Sequence, residues 1–341
     1  MLWLCVHLPR LSLEIYRRGA RVDRPLVIGE GEGREQRIVA ASEGARRSGV
    51  RPGMRVSEAY ALASALCVKA RDTTAEREAL ERLAAWSGQY TSCVSLILPD
   101  TLLLEIAGSR QLHGGPDRLA RQVRNGLNDL GYTARLATAP TPLGATWLAR
   151  AGRDVEITDH TALFSALAQL PLTCLNLEPQ CEMRLTGMGL VTLVDCLRLP
   201  RDGIARRVGP EILASLDRAF GRLPDPRAAF VPPERFHARL GLPAPVTTRE
   251  ALLFPLHRLL IELAGFLAAR GMGAAALEIT LHSTRAVSTR VSLQLVAPSR
   301  DVQHLGSLVR ERLERLTLEA PVEEVRLDVD ALLPLAAQPL D

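Results

Sequence analysis

The sequence predicts an α+β protein made of two β-α-β-β-α-β stretches with a mostly helical segment between them. Two patterns carry this: short runs in which apolar and polar residues alternate, and longer runs with apolar residues at helical spacing. The length of 341 residues is the third observation, since one hydrophobic core rarely serves so long a chain.

The C-terminal stretch is the plainest. Phe236, Ala238 and Leu240 alternate with polar residues, as do Leu277, Ile279 and Leu281, then Val291, Leu293 and Leu295, and finally Val325, Leu327 and Val329. Helices are expected over 250–270, ending near Gly271, and over 301–316, where Leu305, Leu308, Val309 and Leu313 share a face. This order is that of a ferredoxin-like, or split βαβ, unit. His237, Arg239, Thr280, His282, Arg290 and Arg326 would line its open sheet face. The N-terminal stretch repeats the order, with strands at 2–8, 92–98, 101–107 and 132–138 and helices at 75–88 and 115–129. Its first strand and first helix are separated by 9–73, long enough for a small α/β subdomain. Between the two copies, 166–232 is mostly helical and closes in a proline-rich tether.

Charge narrows the partners only a little. The net charge of +4 permits a nucleic-acid partner, and Lys69 is the only lysine, so the positive charge is nearly all arginine, which suits phosphate. Aromatic residues make up 4%, too few to favour a base-stacking platform. The cysteines Cys5, Cys67, Cys93, Cys174, Cys181 and Cys196 form no CxxC pair, which argues against a zinc site and a disulfide framework. The N-terminus MLWLCVHLPRLSL is expected to be a buried strand, not a signal peptide, and no apolar run has transmembrane length. A reduced, cytoplasmic location without membrane contact is therefore expected.

The segment IVAASEGARRSGVRPGMRVSEAYALA, residues 38–63, decides among the folds. Gly49 can end its first helix, Pro52-Gly53 can turn, and Ser57 can cap the next helix with Glu58 behind it. It resembles the fingers segment of the Y-family, lesion-bypass DNA polymerases. The resemblance extends over the chain and implies a right hand: a ferredoxin-like palm at 1–10 and 74–165, and small fingers at 11–73. A helical thumb at 166–232, a βαββαβ little finger at 233–335 and the start of a C-terminal tail at 336–341 complete it.

That family's polymerases hold two Mg²⁺ ions on palm carboxylates. Its D-x-D-x-F-F run is matched by His7-Leu8-Pro9-Arg10-Leu11-Ser12, so His7 and Pro9 replace the aspartates. Its D-E pair is matched by Asp100-Thr101, of which only the aspartate remains. In the fingers, Glu43 stands at the phosphate-binding tyrosine position, although Arg46 keeps its match. The A-P-N-K-x-x-A-K run becomes Ala139-Pro140-Thr141-Pro142-Leu143-Gly144-Ala145-Thr146, without either lysine. A Y-family body with lost carboxylates resembles the ImuB family. That resemblance implies no catalysis, no metal and no cofactor. It implies primer–template DNA, an ImuA-like RecA-fold protein, an error-prone DnaE-type polymerase and the β sliding clamp as partners in damage-induced (SOS) mutagenesis.

By the same resemblance, Arg235, Arg239, Arg285 and Arg290 contact the DNA backbone, a role that positions without reading sequence. Gly187-Met188-Gly189 is either a helix–hairpin–helix turn on a DNA phosphate or a plain helix cap. GEGEGR, residues 29–34, is a surface turn in preference to a phosphate loop. Gln338 and Leu340 resemble the opening of a clamp-binding Q-x-L-x-L-F peptide, so a longer tail is expected. Two other functions compete with the scaffold. One is a polymerase using Asp100, Glu105 and Glu14; the other is a protein-only interaction hub.

Overall fold

Strand β1 (Trp3–His7) is buried along its whole length, which is why it shows no polar alternation. The computed structural model describes residues 1–19, 25–284 and 288–335, without the Arg34 side chain. Helix α1 (Leu11–Arg17) follows β1. Strands β2 (Leu26–Glu30) and β3 (Arg37–Ala41) then pair antiparallel. The 29–34 turn joins them with Gly31 and Gly33 at φ +92° and +55°. It opens no α-helix, so it has none of the strand-to-helix geometry of a phosphate loop.

Ser42 caps α2 (Glu43–Arg47) by accepting the Ala45 N–H. Gly49, at φ +91°, ends this turn as expected. Helix α3 (Val56–Leu62) differs from expectation at its start. Its cap is Arg55, whose N–H is taken by the Glu58 carboxylate, and Ser57 already lies inside the helix. The reach of Glu58 back to the chain entry set the boundary two residues earlier than the serine suggested. Strand β4 (Cys67–Ala70) runs parallel to β2, giving the order β3-β2-β4. Val27, Ile38, Ala45, Val50, Val56 and Ala59 form this subdomain's core. Helix α4 (Thr73–Ser87), capped by Asp72, follows the insertion as the expected first helix of the N-terminal stretch.

Strands β5 (Val94–Ile97) and β6 (Thr101–Glu105), helix α5 (Pro116–Asp129) and strand β7 (Arg135–Ala139) follow. Helix α6 (Pro142–Arg150) opens with the Thr141 cap and Pro142 in its first turn. Helices α7 (His160–Ala168), α8 (Pro179–Gly187), α9 (Leu193–Arg198), α10 (Arg201–Val208) and α11 (Pro210–Ala219) make up the helical segment. The C-terminal part contains β8 (Phe236–Val246), α12 (Arg249–Ala268), β9 (Met272–Ser283), β10 (Ser288–Ser299), α13 (Val302–Glu314), β11 (Val322–Val329) and β12 (Leu332–Pro334).

The chain divides into two compact units. The first contains 1–9, 90–126 and 134–231. Its sheet has the order β5-β6-β1-β7, so β6 fills the gap between β1 and β5, as in a ferredoxin-like unit. Trp3, Cys5, Leu103 and Ala137 pack with Trp147 of α6 and with Leu163, Leu185 and Leu193 of the helical segment. Burial pushes the Cys5 and Cys174 thiols up to about 12, the behaviour of small hydrophobic residues.

The second unit contains 10–89, 127–133 and 232 onward. Its larger sheet corrects the expected repeat. The order is β10-β9-β11-β8, so the last strand fills the gap between β8 and β9. In a ferredoxin-like unit the third strand would do so. Burial explains the difference: β11 hides Val322, Val325, Leu327 and Val329, whereas β10 hides Val291 alone. The more apolar strand takes the centre and the polar one the edge. Element order is repeated along the chain; strand order is not. Helix α12 is long and apolar enough to cross a membrane by composition, yet ten of its residues are buried in this unit.

Candidate functional site

The first unit brings the expected metal positions together. His7 ends β1 directly opposite Thr101, the first residue of β6. The Leu8 N–H donates to the Asp100 carbonyl at 2.8 Å, which holds the two strand ends side by side. His7 Nδ1 lies 3.3 Å from Thr101 Oγ1 and 3.4 Å from Asp100 Oδ1. The Thr101 hydroxyl donates to the same Asp100 oxygen at 2.8 Å. Burial raises the Asp100 pKa, but His7, the Thr101 hydroxyl and Arg150 outweigh it, and the net shift is downward. Pro9 is exposed and brings no ligand atom in its side chain.

The carboxylate kept at this end is thus turned onto a histidine and a threonine. Among the described residues, no three His, Cys, Asp or Glu side chains come together as a metal-binding group. Glu105 lies at the far end of β6 and accepts the Leu2 and Ala107 N–H groups. Glu14 belongs to the second unit, where burial pushes its carboxyl up and the Thr133 N–H holds one oxygen. The lysine positions of the α6 entry are also spent: Pro142 starts the helix, and the buried Thr146 hydroxyl donates to the Pro142 carbonyl.

Because the folded Asp100 pKa is depressed, its stabilising effect exists above the ordinary carboxylate range and is lost as pH falls through the folded value. Asp100→Asn is therefore expected to destabilise the protein by about 1–3 kcal/mol at neutral pH, with the deficit closing in acid. Urea melts at pH 7 and well below the ordinary carboxylate range check this; an equal deficit at both would refute the account.

The C-terminal sheet offers the basic face. Arg239, Arg326, Thr280 and Arg290 stand side by side across β8, β11, β9 and β10. The arginines are exposed, but Thr280 is buried, contrary to expectation. It sits on the central strand between two arginine stems, which cover it. Each arginine has an acidic neighbour: Arg326 Nε is 2.7 Å from Asp328, Arg239 3.1 Å from Glu78 of α4, and Arg290 3.9 Å from Glu278. Arg235 lies 3.4 Å from Asp330. The face is a lattice of charges of both signs, which composition alone did not reveal. Arg46 and Glu43 are both exposed on α2. Arg285, Gln338 and Leu340 lie outside the described residues.

The Gly187–Gly189 turn resolves to a helix cap. The Met188 N–H bonds to Arg184 and Leu185, Gly189 to Thr186, and Leu190 to Leu185. Val191 and Thr192 N–H both donate to the Asp195 carboxylate, at 3.1 and 2.9 Å. These five N–H groups, 188–192, are all taken, so none is left for a phosphate. Asp195 holds the place of the anion, and the hydrogen bonds from Thr192 lower its pKa. The Thr192-Leu193-Val194-Asp195 spacing, a capping box, was the sequence signal for this.

The same fold recurs in solved structures. A Y-family DNA polymerase chimera, Dbh-Dpo4-Dbh, matches with a TM-score of 0.54 and 16% identity, covering 98% of this chain and 100% of that one. DinB from Sulfolobus solfataricus gives a TM-score of 0.54 at 15% identity, with the same coverage. The fold is that of a Y-family DNA polymerase. The impB/mucB/samB family model matches residues 12–150. Protein ImuB of Caulobacter vibrioides is 32% identical over 292 residues, 85% of this chain and 63% of its own. The chain is ImuB-like, and spans just under two thirds of that relative's length. DNA polymerase IV of Yersinia pestis is 27% identical over 192 residues, 55% of this chain and 54% of its own.

Proposed function

We propose that this chain is a non-catalytic, DNA-binding scaffold of an error-prone translesion complex. It links primer–template DNA to a sliding clamp and to a DnaE-type polymerase that performs synthesis, with an ImuA-like RecA-fold protein as a further partner. In this reading 1–10 and 74–165 act as the palm, 11–73 as the fingers, 166–232 as the thumb and 233–335 as the little finger. Arg235, Arg239 and Arg290 supply phosphate contacts, and Arg46 is a remnant of nucleotide binding.

One observation carries the reading. Two-metal phosphoryl transfer needs several carboxylates converging on one point. At that point stand His7, Thr101 and an Asp100 already bonded to both. With one oxygen already engaged by the threonine and the histidine, Asp100 offers a poor anchor for a divalent cation.

Primer extension with Mg²⁺ or Mn²⁺ and all four nucleotides tests it, with a DNA polymerase IV as positive control. No added nucleotide is expected, even with protein in excess over primer. Extension that disappears in Asp100→Ala would overturn the reading.

A further inference from the structure

Arg18, just past the end of α1, is 2% exposed. Its guanidinium nevertheless has a partner at every nitrogen. Nε donates to the Leu130 carbonyl at 2.7 Å, Nη1 to the Tyr132 hydroxyl at 2.6 Å, and Nη2 to Glu262 Oε2 at 3.1 Å. It also lies over the Tyr132 ring, 4.3 Å from the centroid. Burial works to discharge Arg18, but Tyr132 and Glu262 outweigh it and raise its pKa. Glu262, on α12, is 1% exposed, and its other oxygen lies 2.9 Å from Arg82 Nε on α4. One turn before it, Arg258 donates to the Arg18 carbonyl.

The backbones around this cluster approach closely through glycines from both sides. A Cβ on Gly265 of α12 would stand 2.2 Å from Trp86 Cδ1 of α4. One on Gly88 would stand 2.9 Å from the Ala269 Cβ, and one on Gly19 would stand 2.5 Å from the Gly241 carbonyl oxygen. Such distances leave no room for a side chain. A buried charge cluster adds little net stability, since water solvates the separated ions well. It does tie α12 to two places at once: one Glu262 oxygen accepts from Arg18, and the other lies 2.9 Å from Arg82 Nε on α4.

From these contacts we propose that Arg18, Glu262 and Arg82 form a latch that fixes the C-terminal module, from residue 232 on, against α1 and α4. The module is then a docked part of one body, not a domain swinging on its proline-rich tether. Whatever binds its sheet meets a preset surface. The inference stands apart from the DNA-binding reading, and its test uses no DNA.

The full chain would carry a site for a sequence-specific protease inserted between Val231 and Pro232, both exposed. After complete cleavage, the two pieces are expected to co-elute in gel filtration at micromolar concentration. Glu262→Ala is expected to weaken that association by more than about a hundredfold, since it leaves two arginines without their shared partner, so that its pieces part, while the exposed-pair variant Glu311→Ala leaves them together. Wild-type pieces that separate, or Glu262→Ala pieces that remain together, would overturn the latch.

Discussion

Replacing Arg239, Arg290 and Arg326 together with alanine is expected to weaken binding to primer–template DNA by on the order of 10–100-fold at ~0.1 M salt. The slope of log affinity against log salt should also become shallower by up to about 2.7, roughly 0.9 for each phosphate no longer neutralised. The three side chains share one row across the sheet. Adjacent strands lie about 4.8 Å apart, so the row presents its charges along a single line. Each arginine must leave an acidic neighbour to reach a phosphate. The opposite change is therefore informative: Glu78→Ala frees Arg239 and should strengthen binding by up to about fivefold, the worth of an exposed ion pair. Fluorescence anisotropy from ~50 to ~200 mM salt reads both variants. An unchanged salt slope in the triple variant would remove this face from the DNA interface and favour the protein-only hub.

The parts of the fold that were legible in the sequence are those with a local cause. Alternation marked the strands of the C-terminal sheet, and Gly49 and the Pro52-Gly53 turn marked the helix breaks of 38–63. Features decided by competition between distant segments were not legible. Nothing near β10 or β11 in the chain states which of them sits centrally; their summed burial does. Thr280 looked open because its own strand alternates, yet its cover comes from arginines on the two flanking strands. Arg18 and Glu262 are 244 residues apart, and no periodicity joins them. The 187–189 turn lay in between: its glycines suggested a phosphate grip, while Asp195, a few residues on, already carried the answer.

Glu262→Ala is expected to cost about 3–5 kcal/mol of unfolding free energy, because it strands two arginines in a site built for three charges. Arg18 has 1% side-chain exposure and cannot turn to water without moving its helix. Arg82, at 20%, can relax partly, which places the cost chiefly on Arg18. A surface comparison calibrates the figure: Glu311→Ala removes an exposed pair with Arg315 and should cost less than about 0.5 kcal/mol. The combined variant Arg18→Met, Arg82→Met and Glu262→Leu separates charge from packing. If stranded charge is the cause, this apolar set recovers most of the stability, since buried ion clusters can be replaced at little net cost. If packing alone is the cause, the combined variant stays as unstable as Glu262→Ala. Urea midpoints of the four proteins decide between these, and only the recovery fits a cluster whose work is to tie α12 to two places at once.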